Sequence, residues 1–196
     1  MIEERLKGKP LGLFSFSKQC VIFFVGMVNT RENSLGEQGV NNNPILSILQ
    51  WMNKTRPNPS DTDRSTQLGV HFEEVTEMAD ALLLTEGMGD EFEAHLITFI
   101  NAGQTISQAL KEQRSGINFS NIDPQVRVDL LDSYCDQIVT VLGSGYTQNM
   151  DMLGAINEVD QSNWSKFDPD ENPIYDDNKK VTKGPNYRKA VLDPFV

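Results

Sequence analysis

A chain of 196 residues is one domain, or one domain with extensions, and is long enough to bury a core without staples. Its 17 Lys and Arg against 28 Asp and Glu give a net charge of -11. That balance argues against nonspecific binding to nucleic acid or to an anionic membrane, and it allows acidic clusters that a divalent cation would neutralise. Cys20 and Cys135 have no CxxC spacing, so they read as free thiols of a reducing compartment rather than a disulfide framework.

Residues 1 to 43 stand apart. Within them LGLFSFSKQCVIFFVGMV, residues 11 to 28, is rich in Phe and Val, but Lys18, Gln19 and two serines interrupt it. The longest pure apolar run, Val21 to Val28, is short for a spanning helix, so no membrane partner is expected. A basic start before an apolar run is similar to a signal peptide, yet Glu3 and Glu4 sit in the leading segment and no small-residue cleavage motif is clear. Composition then shifts sharply into TRENSLGEQGVNNN. Met27 is therefore a candidate natural start, with residues 1 to 26 an upstream extension, and residues 1 to 43 are set outside the core domain.

Helix signals dominate from Asn43 onward. PILSILQWMNK, residues 44 to 54, opens with a proline suited to a first helical position and repeats Ile45, Ile48, Leu49 and Met52. RPNPSDTD breaks the chain, and Asp61 or Asp63 is placed to cap a second helix from about Arg64 to Thr85. GMGD separates it from a third, about Glu91 to Gln113, with an apolar stripe of Phe92, Leu96, Phe99, Ile100, Ile106 and Leu110. After the loop SGINFSNID, Pro124 starts a fourth helix reaching about Leu142. GSGYTQNMD then turns the chain into a shorter fifth helix, about Met152 to Asn163. From Trp164 the chain is heavy in Pro, Asn, Asp and Lys; IYDDNKKV suits a small hairpin turning at Asp-Asn, and the rest reads as an extended arm. The expected fold is all-α: a helical bundle of about five helices over residues 44 to 163, with an irregular C-terminal arm over 164 to 196.

The chemistry concentrates on two helices. In HFEEVTEMADAL, with each residue advancing about 100° and Glu73 at zero, Glu77 lies near 40°, Asp80 near -20° and Glu74 near 100°. Phe72, Val75, Met78, Ala79 and Leu82 take the opposite side. A solvated charged face would explain this helix by itself. The fourth helix repeats the pattern, with Asp129, Asp132 and Asp136 on one face and Leu130, Leu131, Tyr134, Ile138, Val141 and Leu142 on the other. Neither acidic face carries a matching i,i+4 Lys or Arg, and like charges at that spacing repel. Two unneutralised carboxylate faces suggest a cation between them. Oxygen-only ligands favour a hard ion, Mg²⁺ first with Mn²⁺ as a substitute. Di-iron and zinc sites are set aside, since His71 and His95 have neither Glu-x-x-His nor zinc-ligand spacing.

The set Glu73-Glu74-x-x-Glu77-x-x-Asp80 resembles the first helix motif of the MazG-like all-α nucleoside triphosphate pyrophosphohydrolases, relatives of phosphoribosyl-ATP pyrophosphohydrolase and the dimeric dUTPases. The second motif is matched by Asp132 and Asp136, with aspartate where glutamate is usual and one residue more between them; Asp129 and Asp132 match at the family's own spacing. The third helix lies between the two motifs, which puts them much farther apart than in compact members. Long phage-encoded members similarly carry a CDQ helix, SNWSKF and a KGPNY arm, here Ser162 to Phe167 and Lys183 to Tyr187. The resemblance covers about residues 43 to 196; EExxE alone is a weak signal, and the ordered set is the stronger one.

The resemblance implies Mg²⁺-dependent hydrolysis of a nucleoside triphosphate between the α- and β-phosphates, in the cytoplasm (the host cytoplasm for a viral protein). It implies Glu74, Glu77, Asp132 and Asp136 as metal ligands, Asp80 as a further ligand or outer partner, and Glu73 as the group acting on the attacking water. Lys166 and Lys183, with Arg188 behind them and Tyr187 beside them, are the phosphate-side candidates. Asn157 and Asn163 are candidate hydrogen-bonders, and Trp51 is either a base-stacking or a core residue. A homodimer or homotetramer is expected, with no nucleic-acid partner. The rival expectations are an inactive nucleotide-binding or host-interaction protein of the same fold, and a structural protein with merely solvated acidic faces.

Overall fold

The computed structural model describes residues 43–176 and 180–196. The segment 11 to 28 and Cys20 lie outside these residues. Five helices follow in order: α1 (Pro44–Thr55), α2 (Asp61–Leu82), α3 (Asp90–Lys111), α4 (Pro124–Thr147) and α5 (Met152–Trp164). The described chain is all-α, and its one β feature is an antiparallel bridge between Tyr175 and Val181. Among the described residues no helix is long and apolar enough to cross a membrane.

Side chains fix the helix starts. Asn43 Oδ1 accepts from the amides of Ile45 and Leu46, ahead of Pro44 in the first turn. For α2 the cap is Ser60, not Asp61 or Asp63. Ser60 Oγ accepts from the Asp63 amide while the Asp63 carboxylate accepts from the Ser60 amide, so Asp63 is the far half of a capping box. Asp61 instead pairs with Arg64 and accepts from Ser120 Oγ. The Asp61 carboxyl is held below its usual range, chiefly by that serine hydroxyl.

The stop of α4 also differs from expectation. GSG does not turn the chain; the helix continues through it to Thr147, and Asn149, at φ 62°, ends it. The Met150 amide donates to the Gly145 carbonyl and the Asn149 amide to Tyr146, a left-handed cap closing both free carbonyls. The Met152 side chain packs over Gly145, where a Cβ would stand.

α2 and α3 form an antiparallel hairpin, and its seam takes only Ile100 and Leu110 from the α3 apolar stripe. α2 buries Ser65, Gly69, Thr76 and Ala79; α3 buries Ile100, Gly103, Ser107 and Leu110. Small residues allow close approach. A Cβ on Gly69 would stand 2.8 Å from the Ser107 carbonyl oxygen, and one on Gly103 would collide with the Thr76 methyl. Hydroxyls stitch the seam: Ser65 Oγ donates to the Leu110 carbonyl and Ser107 Oγ to the Gly69 carbonyl, both at 2.7 Å.

The second packing centre joins α1, α5 and the arm. The indole N–H of Trp51 donates to the Asn163 carbonyl, and that of Trp164 to Ser47 Oγ. Phe167, buried, stacks on Trp51 and meets Trp164 edge-on. The arm folds back on α5. The Gly184 amide donates to the Lys166 carbonyl, Ser162 Oγ donates to the Arg188 carbonyl, and Arg188 forks onto Glu158. Beside the Tyr175–Val181 bridge, the Thr182 amide donates to Ile174 and the Asp176 amide to Lys180. The Asp-Asn turn itself lies outside the described residues.

Much of the apolar surface finds no cover among the described residues. Leu131 is 63% exposed, Val139 67% and Leu49 60%. Phe92 and Phe99 on α3 are also exposed.

Candidate functional site

A groove of about 540 Å³ runs along the α2–α3 hairpin. From α2 it takes Glu73, Thr76, Glu77 and Asp80; from α3 it takes Gln104, Ser107, Gln108 and Lys111, with Glu112 at the helix cap. The 3.6-residue repeat explains the α2 contribution, since positions 73, 76, 77 and 80 share one face. Thr76 Oγ1 turns back onto the Glu73 carbonyl, which leaves its methyl facing Gly103.

Glu74 stands off this face and does not line the groove. Its carboxyl is pushed up from the ordinary glutamate range, first by burial and then by the charges of Glu77 and Glu73; Lys111 and His71 partly offset this. A cation near these carboxylates would relieve the repulsion.

One cation is already there. Lys111 Nζ sits 2.5 Å from Glu73 Oε2, and Lys111 is the only cation among the groove's lining residues. The sequence reading sought a neutralising lysine at i+4 on the same helix and missed one that arrives from α3. Antiparallel pairing of two long helices joined by a short loop sets the end of α3 against the start of α2, and the long lysine side chain then runs past Gly69 to Glu73.

The aspartates of α4 lie elsewhere. α4 meets α2 through His71, whose Nε2 pairs with Gln137 Oε1 and whose ring meets Tyr134 edge-on. Asp129, Asp132 and Asp136 are on a different side of α4 from Tyr134 and Gln137. The Asp129 carboxylate accepts from Gln125. None of the three lines the groove, and among the described residues no three His, Cys, Asp or Glu side chains converge as a ready metal cage. The carboxylates that line the groove are Glu73, Glu77, Asp80 and Glu112, and the Lys111 ammonium pairs with the first of them.

The phosphate-side candidates gather around α1, α5 and the arm. Lys166 donates to Asn163 Oδ1 and lies over the Trp51 ring. Its ammonium is pushed down from the ordinary lysine range, chiefly by burial and then by Lys180 and Lys183. Lys180 is thus a member of this cluster that the sequence reading did not single out. Lys183 lies over the Tyr187 ring. The two motif segments meet in space, because a Cβ on Gly184 would press into the backbone carbonyls of Lys166 and Phe167. Arg188 is committed to Glu158 and Gln161. Trp51 is held by Asn163 and Phe167, and Asn157 sits half-buried on α5. Among the described residues neither α1 nor α5 packs against α2 or α3, so one chain keeps the lysine cluster and the carboxylate groove on separate packing units.

No family model matches the chain, and no curated protein matches it. The fold is similar to a solved structure from Exiguobacterium sp. 255-15, described as a "putative NTP pyrophosphohydrolase". The match has a TM-score of 0.51 and 20% sequence identity, and covers 76% of this chain and 89% of that one. At that identity the likeness speaks for the fold.

Proposed function

We propose that this protein is a MazG-like nucleoside triphosphate pyrophosphohydrolase that cleaves between the α- and β-phosphates in a Mg²⁺-dependent reaction. The observation that carries the reading is the groove itself, where Glu73, Glu77 and Asp80 share one face and an ammonium already sits against Glu73. The likeness in fold to a protein described as an NTP pyrophosphohydrolase supports it. Bound Mg²⁺ would supply charge neutralisation at the phosphate oxygens and orientation of the phosphate chain. Glu77 and Asp80 are the groove's candidate donors to the ion, and Glu74 is the neighbouring carboxylate whose ionised form the ion would favour. Glu73 accepts a proton from the attacking water or orients it. Lys166, Lys180 and Lys183 bind the anionic end of the substrate.

A homo-oligomer completes this reading. The lysine cluster and the α4 aspartates do not reach the groove within one chain, and α4 leaves Val128, Leu131, Ile138 and Val139 exposed. A second copy would cover that apolar side and bring the missing groups to the groove.

The test is incubation of wild type and Glu77→Gln with Mg²⁺ and a panel of NTPs and dNTPs, followed by pyrophosphate detection and thermal shift. Release by wild type and a loss of at least about 100-fold in the variant is the expected result. Nucleotide-induced stabilisation with no release would replace the enzyme by a nucleotide-binding protein of the same fold. Neither release nor stabilisation would reduce the acidic faces to solvated surface.

A further inference from the structure

The polar side chains of α5 divide into two sets. Glu158, Gln161 and Ser162 face the arm and are engaged by it: Glu158 and Gln161 accept from the Arg188 guanidinium, and Ser162 Oγ donates to the Arg188 carbonyl. Asn157, Asp160 and Asn163 follow one another at three-residue steps, about 4.5 Å of rise each, on the side where Trp164 reaches Ser47 of α1. This second row keeps open hydrogen-bonding capacity. Asp160 is 7% exposed, and its Oδ1 is buried with no hydrogen-bond partner. Among the described residues no ion pair reaches it, and the cations of the same packing unit bond elsewhere: Lys54 to Glu171, Lys166 to Asn163 and Arg188 to Glu158. Asn157 and Asn163 are half-buried on either side of it. Asn163 engages its Oδ1 with Lys166, which leaves its amide donors open, and the Asn157 side chain bonds to no described residue. Packing does not ask for such a carboxylate, because an apolar side chain of similar volume would be more stable there.

We infer that Asp160 is a specificity residue that accepts a hydrogen bond from the nucleoside part of the substrate, from a sugar hydroxyl or a base amino group, with Asn157 and Asn163 bonding beside it. This rests on the nucleotide reading above and gives the site its nucleoside end. The row runs to Lys166 through Asn163, so phosphates held by the lysines leave the nucleoside to lie back along α5. One carboxylate between two carboxamides is a pattern for neutral donors and acceptors, not a cage for a metal ion. Sugar hydroxyls and base amino groups present the same chemistry to a carboxylate, a neutral donor. A ligand without that donor leaves Oδ1 buried and unpaired, and this is the condition under which a polar site rejects an analogue most strongly.

The experiment is calorimetric titration of the full chain with nucleoside monophosphates in EDTA, so that neither metal nor turnover enters. It compares wild type with Asp160→Asn, and circular dichroism checks the helix content of each. AMP against its 2′-deoxy and 3′-deoxy forms tests the sugar; GMP against IMP, and AMP against purine riboside monophosphate, test the base amino groups. Wild type should lose about tenfold or more in affinity when one of these donors is removed, since a hydrogen bond to a charged acceptor is lost. Asp160→Asn should weaken the complete ligand about tenfold and bring that pair to within about threefold, since a neutral acceptor replaces a charged one. The pair that responds names the source of the donor. The inference is overturned if wild type binds none of the monophosphates, if it treats every pair alike, or if folded Asp160→Asn discriminates as wild type does. If Asp160→Asn loses its helix content, Asp160→Ser replaces it under the same criteria. Discrimination that depends on Asp160, with no pyrophosphate released when Mg²⁺ and triphosphates are supplied, would support the inference and overturn the hydrolytic reading. Turnover with discrimination unchanged in the variant would do the reverse.

Discussion

Among the described residues, Glu74 and Lys166 are the two groups whose charged forms the fold disfavours, one on α2 and one just past α5. For Glu74 the folded pKa lies above the unfolded one. Its penalty is therefore fully present at neutral pH, begins to fall as pH drops through the folded pKa, and vanishes below the unfolded value. Glu74→Gln should melt higher than wild type at pH 7, and the gap should close in acid and on adding Mg²⁺; a variant melting lower at pH 7 would contradict this. For Lys166 the folded pKa lies below the unfolded one, so the penalty persists below the folded pKa and is relieved as pH rises through it. Pyrophosphate should raise the wild-type melting temperature at neutral pH, and Lys166→Met should lose most of that increment. A third residue is plainer. Asp160 is buried, and its Oδ1 has no hydrogen-bond partner among the described residues. Replacing a carboxylate with one buried, unpartnered oxygen by Asn should stabilise by about 1 kcal/mol in urea denaturation; an equal loss would mean that the carboxylate is needed.

At the scale of elements, the α2–α3 hairpin is held by what its seam lacks. Gly69→Ala would press a methyl onto the Ser107 carbonyl and the Lys111 stem, both within 3 Å. Overpacking of that kind costs about 1–3 kcal/mol. A denaturation midpoint unchanged from wild type would mean that the seam is not tight. This seam also marks where sequence reading stops. Helix existence, order and approximate ends were legible, because prolines, capping side chains and apolar repeats act locally. The buried faces were legible in part: Ala79, Ile100 and Leu110 fell on the expected apolar sides and are buried. Phe92, Phe99 and Met78 looked like core and are exposed, while Ser65, Thr76 and Ser107 looked polar and are buried. Close backbone approach selects small residues, and a hydroxyl that bonds a neighbouring carbonyl carries little penalty when buried. GSG misled for a related reason: glycine weakens a helix without ending it, and the stop came from the left-handed Asn149.

Across the whole molecule, the motifs were legible one by one and their assembly was not. SNWSKF and KGPNY do meet, through Gly184. EExxE faces a groove, but its counter-charge comes from α3, and the α4 aspartates stay outside. The sequence offered no means of telling contacts within a chain from contacts between copies. The exposed apolar side of α4 is where that distinction lies. Val139→Glu should shift the sedimentation coefficient toward a single chain and reduce activity together; a wild type that already sediments as one chain would remove the oligomer from the account. The most direct test of the central claim is the product pair itself, followed by ³¹P NMR as wild-type protein acts on a nucleoside triphosphate with Mg²⁺. The account predicts equimolar nucleoside monophosphate and pyrophosphate, abolished by Glu77→Gln. Nucleoside diphosphate with orthophosphate, or a spectrum that does not change with time, would contradict it.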